Sequence, residues 1–474
     1  MWSKDAVARA RTRTYSYLLV RANWLKPQCI QRRRLLTLAI ETSCDDTSVA
    51  VLATGKNGYA DLLFHERITS DNRAYGGVHP IAAHESHQKN LSSLIRQALQ
   101  KLPRFTKKGL LRNSLVVDHE GKEGTVVRQK PDFITVTRGP GMRASLLTGI
   151  DTAKGLAVAW QIPLLGVNHM QAHALTARFV AATQTTSPNT VPVYSPAFPF
   201  LTLLVSGGHT MLVHSKALCI HEILANTTDI AIGDMIDKCA RDILPNSVLD
   251  GAKDVMYGVL LEKFAFPYDP KNGQGYKYSP PKSFTSPRLA REHGYDWAIN
   301  PPYSTPGPTG PIKYADCFTY SGIGSFAKYL VGQRPNMDDR ERRALAELTM
   351  TVAFEHLASR VLFALERPEM EGVAQLVVSG GVASNQFLKA ILRTILDAKG
   401  YEKVRLVFPP PKFCTDNAAM IAWTGIEMYE AGWRTSLEAT AVKKWAIDPK
   451  ADDGGILGVD GWEKVESVPV EVNT

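Results

Sequence analysis

The chain has 474 residues, 44% hydrophobic and 21% charged, which excludes a disordered protein and leaves room for two or three domains. No uninterrupted apolar run reaches ~18 residues, so no membrane insertion is expected. The net charge of +9 sits in the leader: residues 1–34 hold nine Lys or Arg against the single Asp5, leaving +1 for the rest, so the body carries no overall basic surface.

Residues 1–34 combine Arg, Ser and Thr with scattered apolar residues, the composition of a mitochondrial transit peptide. Arg21 breaks the apolar stretch 17–20, which excludes a secretory signal. The ordered chain opens on an apolar strand over 35–40, a polar turn Glu41-Thr-Ser-Cys-Asp-Asp-Thr47 expected at a sheet edge, and a second strand over 48–52. Apolar spacing predicts a helix over 84–99, with Leu91, Leu94, Ile95, Ala98 and Leu99 inward. Residues 103–130 are polar and read as an insertion. A strand over 133–136 runs into Arg138-Gly-Pro-Gly141, a helix carries Leu146, Ile150, Ala153 and Ala157 on one face, and a strand over 164–167 leads to His169. This order of elements indicates an α/β protein.

Residues 181–198, rich in Ser, Thr and Pro, read as a linker. Beyond it a strand over 200–205 runs into Ser206-Gly-Gly-His209, and a second buried strand, 375–378, runs into Ser379-Gly-Gly381. Glycines at a strand end let a phosphate approach the backbone. Two such ends in one chain suggest a nucleotide held between them. A helix over 234–244 turns Met235, Ile236, Cys239, Ala240 and Ile243 inward. Asp237 and Arg241 then share its outer face, either as a surface ion pair or with Asp237 accepting from a ribose; spacing does not separate the two. Residues 266–315, rich in Pro, Gly, Tyr and Ser, read as a mobile surface insertion, 342–365 and 416–431 as helices, and 433–474 as a tail without a motif. The six cysteines form no Cys-x-x-Cys pair, which predicts reduced thiols in an intracellular compartment.

His169-Met-Gln-Ala-His173 places two imidazoles at i and i+4 on one helical face, where both reach one metal ion. Two bare histidines at this spacing are more often ordinary surface residues. Here they follow a strand end, where α/β ligand sites lie, and Asp416 stands in Cys414-Thr-Asp-Asn417 near another strand end. Two histidines and one carboxylate leave open positions on an ion, and suit zinc and iron alike. A zinc protease needs a glutamate after the first histidine, and Met170 occupies that place. A second cluster, His79, His84 and His87, has no carboxylate at a fixed spacing apart from Glu85, which points away, and is the weaker metal candidate.

The strings Ile40-Glu-Thr-Ser-Cys-Asp-Asp-Thr47, Gly139-Pro-Gly141, His169-Met-Gln-Ala-His173, Leu204-Val-Ser-Gly-Gly-His-Thr210, Tyr320-Ser-Gly322, Ser379-Gly-Gly-Val-Ala-Ser-Asn385 and Cys414-Thr-Asp-Asn417 occur in this order. Together they resemble the tRNA N6-adenosine threonylcarbamoyltransferases, formerly the glycoprotease family, over roughly 36–432; the leader resembles that of the mitochondrial branch. The resemblance implies an α/β fold of the actin–Hsp70–sugar kinase type, two-lobed with a nucleotide in the interlobe cleft. The lobes are expected at 35–198 and 199–412, with a helix over 413–432 packing back on the first. It implies transfer of threonylcarbamoyl from threonylcarbamoyl-AMP to the N6 amine of adenosine 37, in tRNAs reading codons that begin with adenine.

The resemblance further implies one divalent cation per subunit on His169, His173 and Asp416. Nucleotide contacts fall on Leu204, Val205, Ser206, Gly207, Gly208, Asp237 and Asn385. Gly258 joins them by alignment of the following leucines across a loop whose family Pro-Gly-Gly-Pro is not intact here. Asp45 and Asp46 are candidates for proton removal, with a structural turn as the equal alternative. The family's second histidine before the metal pair is Asn168 here, and its Ser-Gly-Leu-Lys is Ser321-Gly-Ile-Gly324. A separate synthase supplying threonylcarbamoyl-AMP, a homodimer and the mitochondrial matrix complete the expectation. The rival readings are a metalloprotease, which Met170 opposes, a phosphotransferase of the same fold, which has no use for the histidine pair, and a nucleotide-driven scaffold.

Overall fold

The computed structural model describes residues 34–55, 58–75, 77–105, 113–118, 123–184, 194–251, 257–267, 276–304 and 314–465. The transit-peptide expectation covers 1–34, and all but Arg34 lies outside them.

The first sheet grows from an antiparallel meander, β1 (Leu36–Glu41), β2 (Asp46–Thr54) and β3 (Ala60–Thr69). Every residue of β1 is buried, as in a strand covered on both faces. α1 (Pro80–Lys101) follows, then a separate hairpin of β4 (Ser114–Asp118) and β5 (Thr125–Gln129) within the stretch read as an insertion. β6 (Phe133–Gly139) joins β1 in parallel, α2 (Arg143–Trp160) crosses back, and β7 (Leu164–Asn168) joins β6 in parallel. α3 (His169–Gln184) starts directly at the end of β7.

The second sheet repeats that plan. β8 (Phe200–Val205), β9 (Thr210–Ala217) and β10 (Ile220–Thr227) form its meander. The chain then runs through α4 (Ile232–Ile243), α5 (Asn246–Leu249), α6 (Gly258–Ala265), a small hairpin of β11 (Arg288–Leu289) and β12 (Ala298–Ile299), β13 (Cys317–Phe318), α7 (Ser321–Gln333) and α8 (Asp339–Leu365). β14 (Gln375–Ser379) joins β8 in parallel, and after α9 (Gln386–Ala398), β15 (Arg405–Val407) joins β14 in parallel. The inner orders β3-β2-β1-β6-β7 and β10-β9-β8-β14-β15 therefore match in both sheets. α10 (Pro411–Cys414) and α11 (Ala418–Glu430) lead back to the first sheet, where β16 (Trp433–Thr435) pairs with β7 and β17 (Trp462–Lys464) with β16.

Three apolar cores set the layers. α1 and α2 cover one face of the first sheet through Leu91, Leu94, Leu146 and Ile150. α3 and α11 lie between the two sheets, against Ala39, Leu52 and Phe133 of the first and Phe200, Leu204 and Val377 of the second. Residues 418–428 of α11 are all buried, as expected of a helix apolar all round. The outer face of the second sheet is covered by α4, α6, α7, α8 and α9. α8 is long and apolar enough to cross a membrane, but it is almost wholly buried inside the protein, as a core helix is.

Several expectations are corrected. The acidic turn 42–45 is not at a sheet edge: β1 is central, flanked by β6 and β2. The described part of the tail, 433–465, is structured: it adds two strands and buries Trp445, Ile447 and Ile456 against the middle core. The described part of the 266–315 insertion is tied to α8 rather than loose on the surface. Trp297 donates to Glu341 at 2.9 Å, and Tyr278 and Arg288 donate to buried Glu355. The five described cysteines are free thiols.

Candidate functional site

His169 opens α3 and His173 follows one turn later on the same face. Asn168, which stands where the family has another histidine, caps this helix: its side-chain oxygen accepts from the Met170 and Gln171 backbone at 2.9 and 3.1 Å. Asp416 comes from the opposite end of the sequence, in the short stretch between α10 and α11. That stretch is fixed by Asn417, which caps α11 by accepting from Met420 at 3.0 Å.

The three side chains converge. His169 Nε2 and His173 Nε2 lie 3.2 Å apart, and Asp416 Oδ1 is 3.4 and 3.1 Å from them. A four-coordinate ion with bonds of ~2.0–2.1 Å holds its ligand atoms about 3.3–3.4 Å apart, so the triangle fits one first-row divalent ion. The histidines are buried, while Asp416 keeps 24% of its side chain exposed, leaving one side open. Among the described residues this is the one cluster of three or more such groups. The decoy cluster is otherwise engaged: His79 caps α1, His84 meets Thr148, and His87 lies between Thr47 and the Cys44 carbonyl.

Glu41 was not singled out in the sequence as a site residue. It is fully buried at the end of β1, accepts from Ser43 N at 2.6 Å and from the Thr137 hydroxyl, and lies 3.4 Å from His169 Nδ1. A carboxylate on the far ring nitrogen fixes the tautomer that turns Nε2 toward an ion. The available signal was an acid closing an otherwise apolar, fully buried strand. Burial alone would lower the His169 pKa, but the charges of Asp416 and Glu41 outweigh it and raise it to about 10. Burial would raise both carboxyls, and His169 outweighs it, holding Glu41 below its ordinary value and Asp416 well below.

Asp45 ends the turn and Asp46 begins β2, and both feel the charge of Asp416. Burial, then the charge of Asp416, raises Asp45, which accepts from Asn72 at 3.1 Å. Burial raises Asp46 to about 7 against the opposing Arg67, 3.3 Å away. Arg67 also donates to Thr415, next to Asp416.

The two Ser-Gly-Gly strings lie side by side, because β8 and β14 are parallel neighbours with Ser379 opposite Leu204. Ser206 Oγ accepts from Gly208 and His209 N–H at 3.3 and 3.0 Å, shaping the first loop. A Cβ on Gly207 or Gly208 would meet nothing within 4 Å, so both face open space. Gly380 is different: at φ +106° its Cβ would lie 2.2 Å from the Val205 carbonyl, so only glycine lets the strands close. Leu204 and Val205 are buried and offer a ligand only their backbone. His209, which follows the first loop, is exposed, and desolvation by the surrounding protein, then the charges of His169 and His173, act on it to lower its pKa.

Asp237 lies on α4, Gly258 opens α6, and Asn385 stands between the second glycine loop and α9. Asp237 accepts from Gly258 N at 2.7 Å, and burial raises it to about 6 against that hydrogen bond and Arg241. Asn385 caps α9 by accepting from Leu388 at 2.9 Å. Glu262 of α6 joins the two helices, accepting from Gln386 and Phe387 N–H at 2.8 and 3.0 Å. The glycines after Tyr320 open α7, where Asp229 receives Ser321 N–H at 2.9 Å. A cavity of about 610 Å³ beside β3 and α1 contains none of the candidate residues.

A family model described as tRNA N6-adenosine threonylcarbamoyltransferase matches residues 115–423. That span holds His169, His173 and Asp416 but not Asp45 or Asp46. The mitochondrial tRNA N6-adenosine threonylcarbamoyltransferase of Schizosaccharomyces pombe is 37% identical, over 91% of this chain and 89% of that protein. The enzyme of that name from Symbiobacterium thermophilum is 30% identical, over 86% of this chain and 95% of that protein. Among solved structures, HypF of T. kodakarensis shares 12% identity over 84% of this chain and 48% of its own, at a TM-score of 0.38, too loose to speak for the fold.

Proposed function

The chain belongs to the tRNA N6-adenosine threonylcarbamoyltransferase family, and on that premise we propose that it transfers threonylcarbamoyl from threonylcarbamoyl-AMP to N6 of adenosine 37 in mitochondrial tRNAs reading codons that begin with adenine. The observation that carries this reading is the His169–His173–Asp416 triangle bordered by the two glycine loops. The matching strand orders support a two-lobed fold of the actin–Hsp70–sugar kinase type, with lobes over 35–198 and 199–412 and the nucleotide between them.

The donor's phosphate lies against backbone N–H groups of Gly207 and Gly208, where no side chain blocks it. Asp237, with Gly258 beside it, and Asn385 take the ribose and base. His169, His173 and Asp416 would hold a divalent cation, zinc or iron, which would supply Lewis-acid polarisation when bound. The adenosine amine forms the new N–C bond, the C–O bond to phosphate breaks, and AMP leaves. The amine proton goes to Asp45 or Asp46, and a carboxylate near pKa 7 suits that task. The rest of the gain comes from holding donor and amine in line.

Met170 is buried and offers no base, which opposes peptide hydrolysis. The basic leader and the mitochondrial relative support work in the mitochondrial matrix; a homodimer fed by a separate synthase is what the family resemblance implies. Mass spectrometry of mitochondrial tRNA nucleosides after loss of the protein tests this: threonylcarbamoyladenosine disappears if the reading holds and persists unchanged if it does not.

A further inference from the structure

His169 and His173 ride on α3, and Asp416 stands just ahead of α11. What fixes these two helices against each other decides whether the three ligand atoms meet. A buried ion pair away from the cluster makes that connection. Arg178 Nε and Nη2 donate to the two carboxylate oxygens of Glu427, each at 2.9 Å, with side chains only 4% and 6% exposed. Its Nη1 donates to the Pro196 carbonyl at 2.5 Å, and the Tyr194 and Phe198 rings cover the guanidinium at 4.8 and 4.4 Å. Arg178 follows His173 by five residues, ~7.5 Å along the helix. The 194–198 segment it grips leads into β8, whose end is the first glycine loop.

A buried ion pair is weak evidence for stability, because apolar replacement is often neutral or better. What a bidentate pair adds is geometry: two parallel hydrogen bonds allow one relative placement of their carriers. The buried faces here need that, since Ala172, Ala174 and Ala177 of α3 and Ala418, Ala419 and Ala422 of α11 are small. Volume-matched apolar packing fills space without fixing one register.

We propose that Arg178 and Glu427 are positioning residues for the metal ligands, fixing α3 against α11 so that His169, His173 and Asp416 meet. This rests on the reading of that triangle as a cation site. The test measures Zn²⁺ affinity of the purified full chain by competition with a chromophoric chelator. AMP affinity and circular dichroism are measured beside it. Arg178→Met combined with Glu427→Leu removes both charges and keeps the interior apolar. That variant is expected to stay folded and bind AMP as before, with Zn²⁺ affinity about 10–100-fold weaker. If it fails to fold, Arg178→Lys, which keeps the charge but not the fork, carries the same expectation. A folded variant with unchanged Zn²⁺ affinity overturns the positioning role, provided His173→Ala has lost the ion. Should His173→Ala itself bind Zn²⁺ as the unaltered protein does, the cation site falls and the proposal falls with it.

Discussion

Glu41→Gln removes the charged partner on the far ring nitrogen of a metal-ligand histidine without touching the ion. The side chain is fully buried and has three neighbours: Ser43 N–H, the Thr137 hydroxyl and His169 Nδ1. Glutamine keeps an oxygen for Ser43 but places an NH₂ where Oε2 met two donors. The Thr137 hydroxyl can rotate away; the His169 ring cannot. Its Nδ1 then has only the Ser43 hydroxyl, 3.3 Å away, as an acceptor, and facing the new amide it favours the form that accepts, which puts hydrogen on Nε2, the atom facing His173 and Asp416. That tautomer is not a ligand. Loss of such a partner weakens metal binding about 10–100-fold, or about 1.4–2.7 kcal/mol. The assay is Zn²⁺ titration against a competing chelator, with thermal unfolding in excess chelator as the fold control. A folded Glu41→Gln protein with unchanged Zn²⁺ affinity would falsify the tautomer argument.

The pH dependence has a definite sign. The folded pKa of His169 is raised to about 10 from 6.5, so its contribution to stability in the metal-free protein is complete below pH 6.5 and lost as pH rises toward 10. Metal must displace that proton, so Zn²⁺ affinity climbs by up to about tenfold per pH unit across this window; calorimetry at pH 6.5 and 8.5 reads it, and a flat profile contradicts it. Gly207→Val has room in the free protein, so it folds and keeps Zn²⁺ while AMP binding is lost; retained AMP binding rules out that loop as the phosphate cradle. Asp46, raised to about 7, predicts a transfer rate that rises through neutral pH, and Asp46→Asn removes that limb. An unchanged profile assigns Asp46 to the turn alone.

Local patterns carried the strands and helices well, because each is decided by neighbouring residues. The apolar runs ahead of Glu41, Ser206 and Ser379 all became buried strands, and Leu146, Ile150, Ala153 and Ala157 all face inward. The two histidines were legible because i, i+4 spacing is itself geometry. Asp416 has no local link to them: it reaches them only because α11 is buried between two sheets, a consequence of the whole topology. Glu41 was hidden for the same reason, since its partner lies 128 residues away. The matching strand orders left no trace beyond the repeated Ser-Gly-Gly, which marks β8 and β14 of one sheet rather than one strand in each. The tail showed no period because its segments are short and are held by Trp445 and Trp462 instead.

The central claim is a group transfer to tRNA, and a reconstituted single-turnover reaction meets it most directly. Purified, zinc- or iron-loaded protein is mixed with unmodified mitochondrial tRNA and threonylcarbamoyl-AMP, and the nucleosides are resolved by mass spectrometry. The account predicts threonylcarbamoyladenosine at position 37 with release of AMP, and loss of both with His173→Ala. Folded, metal-loaded protein that leaves the tRNA unmodified, or a His173→Ala variant that modifies it at the full rate, would contradict it.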